Sequence, residues 1–422
     1  MSRYLEQLAR SWHEGQPRGI YSVCSAHPWV LEAAMEQALA DQSHLLIEAT
    51  SNQVNHQGGY TGMQPEDFRR LVLEIAREKN FDEAKLILGG DHLGPNPWQS
   101  QPVVDAMREA ERMVEAYARA GFSKIHLDAS MACGDERGPL DDETIARRAA
   151  RLCAAAEQAS GGVKPVYVIG TEVPVPGGAT ESLKHLHPTT REAAAKTLDV
   201  HRRVFADAGL SAVWPRVIAL VVQPGVEFNH LSVVDYEPSR ATHLTDLLRE
   251  QTALVYEAHS TDYQRPDAYR SLVRDGFAIL KVGPALTFAM REALEALEQI
   301  EAELVLPEKR SHLMDVLERA MLDDPRPWLH HYHGDAAEKK LLRRYSYSDR
   351  VRYYWTSAQV KDAVERLMGN LRGVEIPETM LSAYLPDAYR EVRAGKLQAK
   401  AKAIVIDRIR AAIAPYAEAC AG

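Results

Sequence analysis

Cysteine is scarce in this chain: there are four in 422 residues, Cys24, Cys133, Cys153 and Cys420, and no two form a C-x-x-C pair. A disulfide framework or a thiolate zinc site needs paired spacings, so the thiols read as reduced and the expected setting is cytoplasmic. Long apolar runs are also missing. No segment reaches the roughly 18 consecutive apolar residues of a membrane span, and Met1-Ser-Arg-Tyr-Leu-Glu lacks a signal-peptide core, so no membrane partner is expected. Surplus positive charge is absent: 50 Lys and Arg stand against 59 Asp and Glu, a formal charge of −9, which argues against nucleic acid as a partner. There is no G-x-x-x-x-G-K-[ST] phosphate loop, and the first apolar run, continuing through Tyr21-Ser-Val-Cys-Ser-Ala-His-Pro28, carries no glycine-rich dinucleotide fingerprint.

What is present is a globular composition, 45% apolar and 26% charged, with a repeated pattern of short apolar run, loop and amphipathic helix. Eight runs recur, at residues 19–26, 45–52, 85–91, 124–128, 166–172, 217–223, 253–259 and 277–283. They are nearly continuous in apolar residues rather than alternating, as parallel strands buried on both faces are. Their number and spacing predict an α/β fold, a (β/α)8 TIM barrel over residues 1–286, with a doubly wound open sheet as the rival. From 287 to 422 the pattern is helical throughout, so a C-terminal helical extension is expected. Within it, His330-His-Tyr-His333 lacks spaced acidic or thiol partners for a metal, and Arg343, Arg344, Arg350 and Arg352 interleave with tyrosines and serines. Such a patch suits either a subunit interface or a phosphate clamp.

A (β/α)8 barrel carries its active site at the carboxyl ends of its strands. Those ends hold Glu48, Thr50 and Asn52; Asp91 and His92; Asp128 and Ser130; Glu172; Gln223; Glu257 and His259; and Lys281. Thr50 and Ser130 read as buried hydrogen-bonding partners. So much convergent polarity exceeds what a packed barrel top requires, and imidazoles with carboxylates suit a divalent ion such as zinc. His92 and His259 are the first expected ligands, with Glu172 and Gln223 after them. Asp91, Asp128 and Glu172 are the expected proton carriers. Asn52, Ser130, Lys281, Arg350 and Arg352 are expected to meet the substrate or its phosphate. Lys281 also admits a Schiff-base reading, which a metal set would make redundant.

Several motifs resemble class II, zinc-dependent ketose-bisphosphate aldolases: Asp91-His92, His126-Leu-Asp-Ala-Ser130, Glu172-Val-Pro-Val-Pro-Gly-Gly178 and Glu257-Ala-His-Ser260. Longer stretches are similar to the accessory, Z-type subunit family of tagatose-1,6-bisphosphate aldolase: Gly89-Gly-Asp-His-Leu-Gly-Pro-Asn96, Val222-Gln-Pro-Gly-Val-Glu-Phe228, Tyr256–Tyr263, Leu280–Ala285 and Tyr345-Ser-Tyr-Ser-Asp-Arg350. The resemblance implies ketohexose or ketohexose-phosphate chemistry in galactitol or tagatose catabolism. It implies a divalent cofactor, zinc first with Mn, Ni and Co as alternatives, and a class II aldolase subunit or further copies of the chain as partners. Family members carry three descriptions: non-catalytic subunit, tagatose-6-phosphate kinase and ketose C4-epimerase. The missing phosphate loop speaks against the kinase. Three departures stand out: Gln223-Pro-Gly replaces a histidine and glycine, Ser260-Thr-Asp262-Tyr replaces a glycine-rich phosphate loop, and Gly283-Pro-Ala replaces an asparagine-containing segment. Ser260 and Asp262 join the expected substrate-contacting set.

Overall fold

The computed structural model describes residues 2–162, 164–172, 178–179 and 186–422. Eight parallel strands close into a barrel: β1 (Ile20–Val23), β2 (Leu45–Thr50), β3 (Leu86–Leu93), β4 (Lys124–Leu127), β5 (Val166–Ile169), β6 (Val217–Val221), β7 (Val255–Ala258) and β8 (Phe277–Val282). Each strand pairs with its sequence neighbours, and β1 closes the ring against β8 with Ile20 opposite Ile279 and Ser22 opposite Lys281. All eight expected runs become barrel strands. The doubly wound rival is excluded by the closure.

Strand residues alternate between the barrel interior and the surrounding helices. At the amino end the inward positions are apolar, with Ile20, Leu46, Ile87, Val166, Val255 and Ile279 in one buried cluster. Helix Ser2–His13 plugs that end, because Leu5, Leu8 and Ala9 join the same cluster. The opposite end is left as the open mouth. Between β6 and the next helix lies a short antiparallel ladder, Glu227–Phe228 with Val233–Val234, which the apolar pattern does not signal because each side is two residues long.

The chain after β8 is helical, as expected. The 286/287 division falls inside helix Pro284–Leu304, and helix Ala401–Ala421 packs against helices Pro28–Asp41, Pro266–Arg274 and Pro284–Leu304 and against β1. The extension is therefore woven into the helical ring. Its middle, residues 346–357, lies across the barrel mouth and is pinned there by a buried charge. Asp349, with φ of 41°, accepts from Thr287 Oγ1 at 2.7 Å and pairs with Arg291 Nε at 3.0 Å, and Arg291 is 2% exposed. Tyr263 Oη donates to Tyr347 O at 2.7 Å, and their rings pack at 4.2 Å.

Asn tolerates the left-handed backbone of position 349 but not the charge pairing. Asp349→Asn should therefore cost about 3–5 kcal/mol by stranding the Arg291 guanidinium in the interior. The check is a urea titration, in which the midpoint should fall; a midpoint equal to wild type would show that the pin carries no energy.

Candidate active site

The inward positions change from apolar to charged within one strand step. Leu46 is followed by Glu48 on β2, Val255 by Glu257 on β7 and then by His259 just past its end, and Ile279 by Lys281 on β8. On β4, Lys124 and His126 share that parity, and Asp128 follows. Gly89 on β3 makes room for this layer, since a Cβ there would run into the Glu48 carboxylate.

Glu48, Lys124, His126 and Glu257 are all 0% exposed, so their charges must be balanced from within. Lys124 Nζ stands 2.7 Å from Glu48 Oε1 and 2.7 Å from Glu257 Oε2, the second as an ion contact without good hydrogen-bond direction. Lys281 Nζ binds Glu48, lies 3.0 Å from Asp91 Oδ1 and 3.8 Å from Glu257 Oε1. Four buried carboxylates, those of Glu48, Asp91, Asp128 and Glu257, face two ammonium groups. With neutral imidazoles this leaves two negative charges, which a divalent cation would cancel.

The imidazoles fit that reading. His92 Nδ1 meets Asp128 Oδ2 at 2.8 Å, His126 Nδ1 meets Asp91 Oδ1 at 2.9 Å, and His259 Nε2 meets Glu257 Oε1 at 2.9 Å. Each ring thus has one nitrogen on a carboxylate, as metal-ligating histidines commonly do, and His126 Nδ1 also accepts from His92 N at 3.3 Å. His126 Nε2 is buried without a hydrogen-bond partner. The ring centroids lie 4.8 to 5.3 Å apart. Asp91, His126, Glu257 and His259 each offer a ligand atom within 4.8 Å of the others, a set that suits zinc or a similar divalent ion. His92, with Nε2 3.6 Å from Asp91 Oδ2, is the third imidazole beside it.

The electrostatics follow from burial and proximity. Burial would raise the Asp91 carboxyl, but His92, Lys281 and His126 outweigh it and hold the group well below its ordinary value. Burial would lower His92, and the carboxylates of Asp91 and Asp128 raise it instead. His259 goes the other way, pushed down to about 4 chiefly by burial. His92 also carries a φ of 49° and Ser260 one of 53°, left-handed backbone that side chains seldom adopt and that collects at functional sites.

The residues expected from sequence divide into groups. Asp91, His92 and His259 converge as described, and Asn52, Ser260, Asp262 and Lys281 line the same cavity. The Lys281 ammonium is held charged by three carboxylates, so a Schiff-base amine is not available and its contacts are internal. Asp128 is committed on both oxygens, to His92 and to Ser130 Oγ at 2.8 Å, so it orients His92, and Ser130 serves Asp128. Gln223 departs from the expected ligand set: its Oε1 accepts from the Gly225 and Val226 backbone at 2.8 and 2.9 Å and braces its own loop. Glu172 is also apart, exposed and accepting from Thr189 Oγ1 at 2.6 Å; the Val173–Gly177 part of its motif lies outside the described residues. Arg350 sits behind the mouth, donating to Pro327 O at 2.9 Å, whereas Arg352 reaches the cavity wall. The reading by strand ends missed the roles of His126 and Glu257, and of Lys124 and Glu48 beneath them. Their parity with Asp128 and His259 was the available signal.

The cavity above this layer has a volume of about 520 Å³. Its far wall comes from the extension, with Arg352, Tyr353, Trp355 and Lys361 facing His27 and Tyr60 of the barrel loops. Arg352 lies 4.7 Å over the Tyr353 ring, and Trp355 Nε1 is buried without a hydrogen-bond partner in that wall.

Fold and site together define a (β/α)8 barrel whose mouth holds a buried carboxylate–imidazole cluster under a helical strap. The chain belongs to the D-tagatose-1,6-bisphosphate aldolase subunit GatZ/KbaZ-like family, whose model matches residues 5–421. Among solved structures it is similar to a probable tagatose 6 phosphate kinase from Sinorhizobium meliloti 1021, at 51% identity and a TM-score of 0.89, covering 96% of this chain and 100% of that one. A looser likeness, TM-score 0.40 at 12% identity over 86% of this chain and 98% of the other, links it to the YdjI aldolase from Escherichia coli K12. A fructose-bisphosphate aldolase from Campylobacter jejuni gives 0.41 at 14% identity, over 87% and 92%. Likeness at that level says nothing about activity.

The cavity also contains a carboxyl with a pH signature. Burial pushes Asp262 up to about 6 from an ordinary 3.8, so the folded protein binds that proton more tightly than the unfolded chain. Stability from this group is therefore whole below about 3.8 and is lost as pH rises through about 6. Asp262→Asn should stabilise the protein by about 1–3 kcal/mol at pH 8, with the gain shrinking as pH falls toward 4. Unfolding free energies of both forms at the two pH values check this; a gain independent of pH would contradict it.

Proposed function

We propose that the chain carries out divalent-metal-dependent chemistry at the C3–C4 bond of a ketohexose or its phosphate, as an aldolase-type lyase or a ketose C4-epimerase. The supporting observation is the pairing of three imidazoles with carboxylates in a buried layer where four carboxylates face two ammonium groups. A purely structural barrel would gain nothing from burying that imbalance.

Asp91, His126, Glu257 and His259 would hold the ion, with His92 beside them. Bound there, a divalent ion supplies Lewis acidity toward a ketose carbonyl or hydroxyl. Asp91 lines the cavity, and among the described residues its Oδ2 has His92 Nε2 at 3.6 Å and the Cys24 thiol at 3.8 Å as polar neighbours. That oxygen accepts the C4 hydroxyl proton as the C3–C4 bond breaks. Asp128 orients the His92 ring, Lys281 favours the ionised form of Asp91, and Lys124 and Lys281 favour that of Glu257. The electron pair of the broken bond passes to the ketose fragment as an enediolate, the proton on Asp91 is returned to C3, and release of the two fragments completes a lyase reaction. Rotation of the aldehyde fragment and recombination on its other face, with the proton returned from Asp91, gives the C4 epimer. A cavity of about 520 Å³ leaves room for such rotation.

A second reading has its own support. Gln223 is turned into its loop, and the family description is that of a subunit, which fits a chain that supports a class II aldolase partner without turnover of its own. The two readings part on the chain assayed alone with zinc, manganese, nickel or cobalt, against free ketohexoses, ketohexose 6-phosphates and the 1,6-bisphosphate. The enzymatic reading expects metal-dependent turnover, reduced about 10²-fold or more in Asp91→Asn. Absence of turnover with every metal and substrate would sink it.

A further inference from the structure

In (β/α)8 barrels the loops after the seventh and eighth strands, with a helix start nearby, commonly form a seat for a phosphate, because the free N–H groups of a helix's first turn attract anions. In this chain the seat is already filled. Asp262, in the loop after β7, aims Oδ1 at the start of helix Pro284–Leu304 and accepts from Gly283 N at 3.0 Å and Ala285 N at 2.9 Å. Pro284 between them has no N–H, and Leu286 N turns back to Gly283 O at 3.0 Å. No backbone donor from Gly283 through Leu286 is left for a ligand. Asp262 is 3% exposed and lines the cavity, so a phosphate reaching this rim would meet a fixed carboxylate in place of N–H groups.

We infer that Asp262 is a built-in occupant of the anion seat and a specificity-determining residue, so that the cavity takes a ketose whose end at the β7–β8 rim is an unphosphorylated hydroxymethyl group. This rests on the metal-dependent ketose reading for its substrate and narrows it. Two like charges at hydrogen-bond range cost several kcal/mol, whereas a hydroxyl can donate to Asp262. Rejection of a phosphate at that end follows. Arg352, on the wall formed by the extension, donates Nη1 to Ser348 O and Asp349 O and Nη2 to Tyr353 Oη, which holds the guanidinium in that wall, and its charge favours the ionised form of Asp262.

The test is equilibrium binding of inorganic phosphate to the purified full-length chain as wild type, Asp262→Ala and Asp262→Ser, with Glu365→Gln as a control that removes a negative charge from another part of the cavity wall. Both Asp262 variants should bind phosphate at least ~10-fold more tightly than wild type, and the control should shift by less than ~3-fold. Having two variants keeps the test open if one fails to fold. Wild-type turnover or competitive binding should favour the ketose over its 1,6-bisphosphate by about 10²-fold, and that preference should shrink in the Asp262 variants. Phosphate binding unchanged by both substitutions, or a bisphosphate preferred by wild type, would overturn the assignment. If the variants gain phosphate binding while no form turns over any ketose, the enzymatic reading falls and the role of Asp262 stands.

Discussion

The structure depends on the salt lattice at the carboxyl ends of the strands, where Lys124 and Lys281 hold Glu48, Glu257 and Asp91 in a layer with almost no solvent. Such a lattice is a poor device for stability alone, since desolvating five ionic groups costs more than their attraction returns in most settings. Its geometry instead fixes where the carboxylates point. Glu48 is held from both sides by ammonium groups, Glu257 is turned to His259, and Asp91 to His126. The lattice converts strand ends into a rigid, negatively charged socket.

The rest of the fold is arranged to keep that socket in place. The first helix fills the amino end of the barrel with Leu5, Leu8 and Ala9, so the polar layer has an apolar floor. The last helix completes the outer ring beside β1. Between them, the strap around Asp349 crosses the mouth and brings Arg352, Tyr353 and Trp355 opposite the carboxylate–imidazole cluster. One wall of the cavity therefore comes from barrel loops such as those of His27 and Tyr60 and another from the extension.

The sequence was informative about the barrel because strands buried on both faces are read directly from apolar runs, and all eight emerge where those runs lie. The Asp91-His92 pair was legible for the same reason, sitting at a strand exit. What stayed hidden depends on side-chain direction. Gln223 occupies a strand end like the others, but the turn at Gly225 offers its amide oxygen two backbone N–H groups, which turn it into its own loop. His126 is one step inside β4, where it reads as strand interior until the parity with Asp128 is noticed. Arg350 and Arg352 differ by two residues in a 3-10 turn, and which of them reaches the cavity is set by Asp349 and Arg291, a pairing across 58 residues that no local pattern announces.

The same reasoning locates the difference between this chain and a barrel built for a bisphosphate. The proposed ion socket lies at one side of the mouth, and at the other the Asp262 carboxylate occupies the helix start. The most direct check on the central claim is crystallographic: crystals grown with zinc, with anomalous data collected on both sides of the metal edge. The account predicts a single strong peak within ligand distance of Asp91, His126, Glu257 and His259, and none at Gln223. A peak at Gln223 and Glu172, or no peak in the socket at full zinc loading, would contradict it.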